Sequence, residues 1–101
     1  MFCAKMRPLN DKFVAIFGMY RFVIFSLDTL QIVKGGEAEI PTMIEYAEAR
    51  SNYLSVLTSD EEGENKLLYF WRFNEEGKIE ETYDPFDVTL PEFEECSEDR
   101  L

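Results

Sequence analysis

Hydrophobic and polar positions alternate along most of this chain, which is typical of β-strands. KFVAIF (12–17) and RFVIFSL (21–27) are rich in β-branched and aromatic residues and flank Gly18, so they predict two strands joined by a tight turn. Further strands are predicted at LQIV (30–33), YLSVLT (53–58), KLLYFWRF (66–73), KIEETY (78–83) and FDVTL (86–90). The polar segments DEEGEN (60–65) and NEEG (74–77) contain glycine and predict connecting loops.

The stretch IPTMIEYAEAR (40–50) carries two periodicities. Four apolar residues follow the i, i+3, i+4, i+7 spacing of a helix: Ile40, Met43, Ile44 and Ala47. Pro41 suits a first helical turn. Alternate positions from Ile40 to Tyr46 are also compatible with a strand. Because Met, Glu, Ala and Arg are good helix formers, a short helix over 41–50 is the favoured interpretation.

Several predicted strands are apolar on both faces. In 66–73, one face carries Leu67, Tyr69, Trp71 and Phe73, and the other carries Leu68, Phe70 and Arg72. Strands with two apolar faces are covered on both sides in folded proteins. The sequence therefore predicts an α+β fold, with a single antiparallel β-sheet of five to six strands and one short helix packed on one face. The other face then needs loops, the tail, a second copy of the chain or a foreign partner.

Length and composition indicate one small folded domain. The chain has 101 residues, of which 46% are hydrophobic and 15% aromatic. We expect residues 1–90 to form a single α+β domain and residues 91–101 to form an acidic, flexible C-terminal tail. No apolar run approaches the roughly 18 residues that cross a bilayer. The N-terminus lacks the apolar stretch of a signal peptide, so a soluble cytoplasmic protein is expected, in the host cytoplasm if phage-encoded.

Cofactor and metal chemistry find few candidate ligands. Cys3 and Cys96 are expected to be free thiols, and the chain has no histidine and no CxxC pair. The loop 60–65 lacks the residue pattern of a calcium loop. Three pairs of glutamates are adjacent in sequence: Glu61 and Glu62, Glu75 and Glu76, and Glu80 and Glu81. Adjacent carboxylates point to opposite faces of a strand or into water, which does not produce the separated pKa values of acid–base catalysis. We therefore predict a non-enzyme without metal or cofactor.

Net charge divides the chain into two unequal parts. The total is −11, whereas residues 1–59 carry six acids and six bases. Residues 60–101 carry fifteen acids and four bases, so the whole net charge lies there. This distribution argues against direct nucleic-acid binding and indicates a basic partner.

Eight of these acids are the candidate partner-binding residues. They are Asp60, Glu61, Glu62, Glu64, Glu75, Glu76, Glu80 and Glu81. Residues two apart on a strand lie roughly 6.6 Å from each other on one face, which is close to the phosphate spacing of one nucleic-acid strand. A discontinuous row of carboxylates through Glu62, Glu64, Glu76 and Glu80 could thus imitate phosphates. The alternative is that the acids only keep a domain rich in apolar residues soluble.

From Glu37 onward the chain resembles the phage uracil-DNA glycosylase inhibitor family. The matching features are Glu37, Ile40, Tyr46 and Glu48, then LTSD (57–60), a polar loop, an apolar aromatic strand and a glycine turn before KI (78–79). The resemblance implies a single antiparallel sheet with helices on one side, carboxylates that imitate DNA, and Asp60 near the interface. It covers residues 37–79, and the glutamate that the family carries on an edge strand has no counterpart in VIFSLDTLQIV (23–33).

Two functional hypotheses follow. The first is a non-enzymatic acidic inhibitor that binds a basic nucleic-acid-processing protein and presents carboxylates as a DNA mimic. The alternative is a structural or assembly subunit that forms a homo-oligomer, such as a homodimer, through a doubly apolar sheet. RFVIFSLDTLQIVKGG (21–36) also resembles a propeller blade; a chain of this length supplies about two blades and would have to oligomerise.

Overall fold

The computed structural model describes residues 5–89, which form two antiparallel sheets and no helix. The first sheet contains β1 (Lys5–Pro8), β2 (Phe13–Phe17), β3 (Arg21–Ser26), β4 (Gln31–Ile32) and β5 (Ala38–Glu39). The second sheet contains β6 (Met43–Arg50), β7 (Tyr53–Ser59), β8 (Lys66–Phe73), β9 (Ile79–Thr82) and β10 (Phe86–Asp87). This architecture follows from short β-branched and aromatic runs separated by turns.

The two sheets have the same topology. In each, three consecutive strands form a meander, β1-β2-β3 in the first sheet and β6-β7-β8 in the second. The third strand of each meander then pairs with two short strands in turn. β4 pairs with the end of β3 and β5 with its beginning, and β9 and β10 pair with β8 in the same sequence. Residues 5–89 therefore contain the same strand arrangement twice, although the sequence shows no matching repeat.

The core lies between the two sheets, which cover each other with one face each. Phe22 of the first sheet packs edge-on against Trp71 of the second, with ring centroids 4.7 Å apart. Phe73 lies 6.2 Å from the same phenylalanine ring. The buried apolar residues are Leu9, Phe13, Ala15, Phe17, Phe22, Ile24, Ile40, Ala47, Leu54, Val56, Trp71 and Phe73. Their alternation along β2, β3, β7 and β8 is what a sheet with one face in the core requires.

Hydrogen bonds connect the two sheets along both lateral edges. On one side, Arg7 Nε donates to the Ala47 carbonyl over 3.1 Å, which links β1 to β6. On the other, the Ile79 amide donates to the Gly35 carbonyl over 2.9 Å, which links β9 to the segment after β4. Exposed sheet edges invite pairing with other chains, and these contacts occupy part of both.

The predicted α+β fold with a helix at 41–50 is wrong, because Met43–Arg50 of this stretch form the strand β6. A β-bulge between Ile44 and Tyr46 shifts the register against β7. The extra residue places both Ile44 and Ala47 toward the core, three positions apart. The bulge therefore produced the apparent helical spacing. The single sheet is wrong as well: the strands divide into two sheets, so each covers a face of the other.

Most other predicted elements are confirmed within a residue or two. The strand predicted at 66–73 coincides with β8, and those at 12–17, 21–27 and 53–58 correspond to β2, β3 and β7. The pattern does not predict β1 or β5, which are short. The proposed tail and both cysteines lie outside the described residues. Among residues 5–89, none forms a helix that could cross a membrane.

Candidate protein-binding surfaces

The face of the first sheet that points away from the core is apolar. Side chains directly opposite each other in an antiparallel pair share a face. The strand pairs Met6–Ile16, Pro8–Val14, Ile16–Val23, Val14–Phe25 and Phe25–Ile32 all lie on this side. We call it the first outer face, composed of Met6, Pro8, Val14, Ile16, Val23, Phe25 and Ile32. Its strand positions carry one charged pair, Arg21 opposite Glu39, at one end.

Much of the first outer face is open to solvent. Met6 is 62% exposed and Ile32 is 57% exposed, at the two sides of the sheet. Val14, Ile16, Val23 and Phe25 between them are half-buried, because neighbours on the same face cover part of each. A contiguous apolar surface larger than a few hundred Å² is rare on a monomer and marks an interaction site.

The second sheet also carries apolar residues on its outward side, and many of them are aromatic. Register places Tyr46, Leu57, Leu68 and Phe86 in one row across four strands. A groove of about 360 Å³ beside this row is lined by Tyr53, Phe70, Tyr83 and Phe86. The Phe70 and Phe86 rings meet edge-on with centroids 5.9 Å apart. These seven residues make up what we call the second outer face.

Charged side chains share the outward side of the second sheet, since register places Glu48 opposite Ser55, and both Arg50 and Arg72 opposite Tyr53. Arg72 donates to Glu80 Oε1 over 2.7 Å and to Glu81 Oε1 over 2.8 Å. The bond from Arg72, with a second from Tyr83, lowers the pKa of Glu81 below its ordinary value. Because both glutamates are exposed and Arg72 is only half-buried, the pairs contribute little to stability. Their effect is to hold Glu80 and Glu81 at the border of the apolar groove.

Four of the predicted partner-binding acids lie in the loop between β7 and β8. Asp60 begins this loop, and its carboxylate accepts the Asn65 amide nitrogen at 2.6 Å and the Glu64 backbone amide at 2.9 Å. These bonds, led by the one from Asn65, lower the pKa of Asp60. Asp60 therefore organises the loop, while Glu61, Glu62 and Glu64 are exposed.

The other four predicted acids lie elsewhere on the second sheet. Glu75 and Glu76 occupy the turn after β8, where Asn74 Oδ1 accepts the backbone amides of Glu76 and Lys78. Glu80 and Glu81 lie on β9 next to Arg72. The loop after Asp60 and the turn at Glu75 are at opposite ends of β8, whose eight residues span roughly 25 Å. The eight acids thus form two separate groups, and no short-spaced row connects them.

The outer faces themselves were not among the predicted site residues. Their signal is present in the sequence, since β2, β3 and β8 carry apolar residues on both faces of the strand. The alternation shows that both sides of a strand are apolar, but it does not show which side another sheet covers. Met6 and Pro8 gave no signal, because β1 is too short to be recognised. Within residues 5–89 no group of three or more metal-ligating side chains occurs.

Comparisons with known proteins give no match, whether to a family model, to a curated protein or to a solved structure. The helices implied by the resemblance to the glycosylase inhibitors are also not found among the described residues. The two outer faces and the distribution of charge are the features of the described residues that bear on function.

Proposed function

We propose that this chain is a non-enzymatic structural subunit that assembles with other copies of itself through its apolar outer faces. The observation that carries the proposal is the first outer face, in which seven apolar residues lie side by side across four strands without an interspersed charge. Removing apolar area from water stabilises association by roughly 25 cal/mol for each Å² buried. A surface of this kind gains most from a flat, apolar partner.

The acidic residues fit this function as solubilising groups. Glu61, Glu62 and Glu64 project from a loop, and Glu75 and Glu76 from a turn, at the ends of the second sheet. Carboxylates in these positions leave the outer faces free and give each copy a high net charge. Such a charge keeps a protein with large apolar surfaces from non-specific aggregation.

Light scattering coupled to size-exclusion chromatography tests the proposed function. The chain should elute with a mass above the 11.9 kDa of one copy, and the mass should fall on dilution. Met6→Asp combined with Ile32→Asp should reduce it to that of one copy, because two carboxylates would be buried without partners. Leu30→Asp is the matched control: Leu30 is 69% exposed in a turn at the end of the sheet. A mass of one copy at every concentration contradicts the proposal.

A second candidate function, the acidic inhibitor, is favoured by the charge of the second sheet. Residues 40–89 contain twelve acids and four bases, a net charge of −8. The loop 60–65 contributes four of the acids and no base. Such a surface attracts a basic protein and raises its association rate at low salt. In this candidate function, the chain covers the nucleic-acid groove of a basic enzyme.

Charge reversal separates the two acidic groups. With uracil-DNA glycosylase and a basic nuclease as probes, the wild-type chain should inhibit at least one of them, and DNA should compete. Reversing Glu61, Glu62 and Glu64 to lysine should weaken inhibition about tenfold or more at low salt and flatten its salt dependence. Reversing Glu75 and Glu76 is the control at the opposite end of β8. Equal inhibition and salt dependence in all three proteins would leave the acids with a solubilising role only.

A further inference from the structure

We infer that copies of this chain stack in one direction, with the first outer face of one copy against the second outer face of the next. The inference rests on the proposed function and specifies which surfaces meet. It follows from the way in which the two sheets are arranged inside a single copy, and from their different charges.

The two sheets lie over each other in the same orientation. At one end, the Asn10 side chain before β2 donates to the Asn52 side chain before β7 over 2.6 Å. At the other end, the backbone carbonyl of Met19 after β2 accepts a hydrogen bond of 2.8 Å from the backbone amide of Ile44. Ile44 in turn pairs with Thr58 near the end of β7. β2 and β7 therefore run in the same direction.

The order of the strands is the same as well. The bond from Arg7 to Ala47 places β1 beside β6, and the bond from Ile79 to Gly35 places β9 beside the segment that joins β4 and β5. The second sheet is thus a copy of the first, moved along the stacking direction without being turned over. A sandwich whose sheets are related by a two-fold axis would instead place one of the two sheets the other way round.

Because of this arrangement, the packing of one sheet on the other can be repeated between copies of the chain. Since the second sheet is not turned over, its outer side corresponds to the core-facing side of the first sheet. The outer side of the first sheet corresponds in the same way to the core-facing side of the second. Placing the first outer face of another copy on the second outer face therefore reproduces the sheet-on-sheet packing that forms the core of a single copy. The first outer face offers a continuous apolar surface to such packing, and the second offers apolar residues with charged side chains among them.

Charge favours this pairing over the contact of two second outer faces. Residues 5–39, which form the first sheet, carry five bases and four acids, a net charge of +1. Residues 40–89 carry −8. Two second outer faces would bring like charges together, whereas a first outer face meets a second one without that repulsion. Contacts of this head-to-tail kind leave a free face at each end, and they continue until a ring closes or a filament grows.

Two face variants test the inference. The first-face variant carries Met6→Asp and Ile32→Asp, and the second-face variant carries Tyr53→Asp and Phe86→Asp. All four side chains are at least 46% exposed, so both variants should fold, which circular dichroism and thermal melting check. Aspartate on both faces ensures that the altered faces cannot attract each other when the variants are mixed.

Each variant alone should have the mass of one copy, and an equimolar mixture should give a complex of two copies and nothing larger. That result requires a first face on one chain and a second face on the other. If the second-face variant still forms a dimer and the mixture gives no mixed complex, two first faces meet, which overturns the inference and leaves the proposed function intact. Wild-type chain that is always one copy overturns both.

A truncation tests whether residues 91–101 of the same chain, and not a second copy, cover an outer face. If residues 91–101 of the same chain cover an outer face, the full chain should have the mass of one copy, and removing these residues should produce the assembly. We expect the full chain and the truncated chain to have the same number of copies. Assembly only after truncation would contradict the inference and assign the face to this segment.

Discussion

Trp71→Ala should lower the free energy of unfolding by about 3–5 kcal/mol, which is the range for deleting a large aromatic side chain from a core. Trp71 is 4% exposed. It packs edge-on against Phe22 at 4.7 Å and is stacked with Tyr69 at 5.7 Å. The loss combines the transfer of the indole from water to the core with the cavity that it leaves between the sheets. Urea denaturation followed by far-UV circular dichroism measures it.

Phe86→Ala is the control for this experiment. Phe86 is also an aromatic strand residue, but it is 55% exposed and touches Phe70 on the second outer face. Its removal should cost about 1 kcal/mol or less in a chain kept dilute enough to be a single copy. A loss below about 1 kcal/mol for Trp71→Ala would show that the indole is not the centre of the core.

Local patterns were sufficient to predict the long strands. The strand signal in β2, β3, β7 and β8 is strong because each contains several apolar residues, β-branched and aromatic ones among them, within five to eight positions. The turns after Asp60 and Asn74 were predicted from glycine and polar residues, and Gly63 and Gly77 there have positive φ angles of 75° and 81°. These features depend on a few neighbouring residues, so the sequence alone reveals them.

The arrangement of the strands could not be predicted in the same way. Whether a strand with two apolar faces lies in one central sheet or in one of two packed sheets depends on distant residues. The bulge between Ile44 and Tyr46 is one such case, since it gives a strand the apolar spacing of a helix. The repeat topology is another: β3 and β8 each pair with two short strands, although their sequences differ.

The positions of the acidic residues on the surface could not be predicted from the sequence either. Charge asymmetry is visible in the sequence, and the structure places the loop acids and the turn acids at opposite ends of β8. Spacing along the chain therefore did not indicate spacing on the surface. The outer faces, in contrast, follow from register: once Val14 is paired with Phe25 and Ile16 with Val23, all four side chains share one side.

Gly36→Ala should be among the most damaging small substitutions, because Gly36 lies at the contact between the two sheets. A Cβ atom there would stand 2.5 Å from the carbonyl oxygen of Gly77 and 3.0 Å from Cβ of Ile24. Backbone on one side and a buried side chain on the other leave no room for it. The segment 33–36 must therefore move away from the turn 74–77, and the adjacent hydrogen bond from Ile79 to Gly35 lengthens.

Overpacking and the weakened hydrogen bond together should reduce the free energy of unfolding by about 2–4 kcal/mol. Gly63→Ala is the control that separates packing from backbone strain: Gly63 has a φ of 75°, but nothing lies within 4 Å of an added Cβ. It should cost about 1–2 kcal/mol from the left-handed backbone alone. Hydrogen exchange at the Ile79 amide adds a local readout, since only Gly36→Ala should accelerate it. Equal exchange rates in the two variants would mean that the sheets do not meet at Gly36.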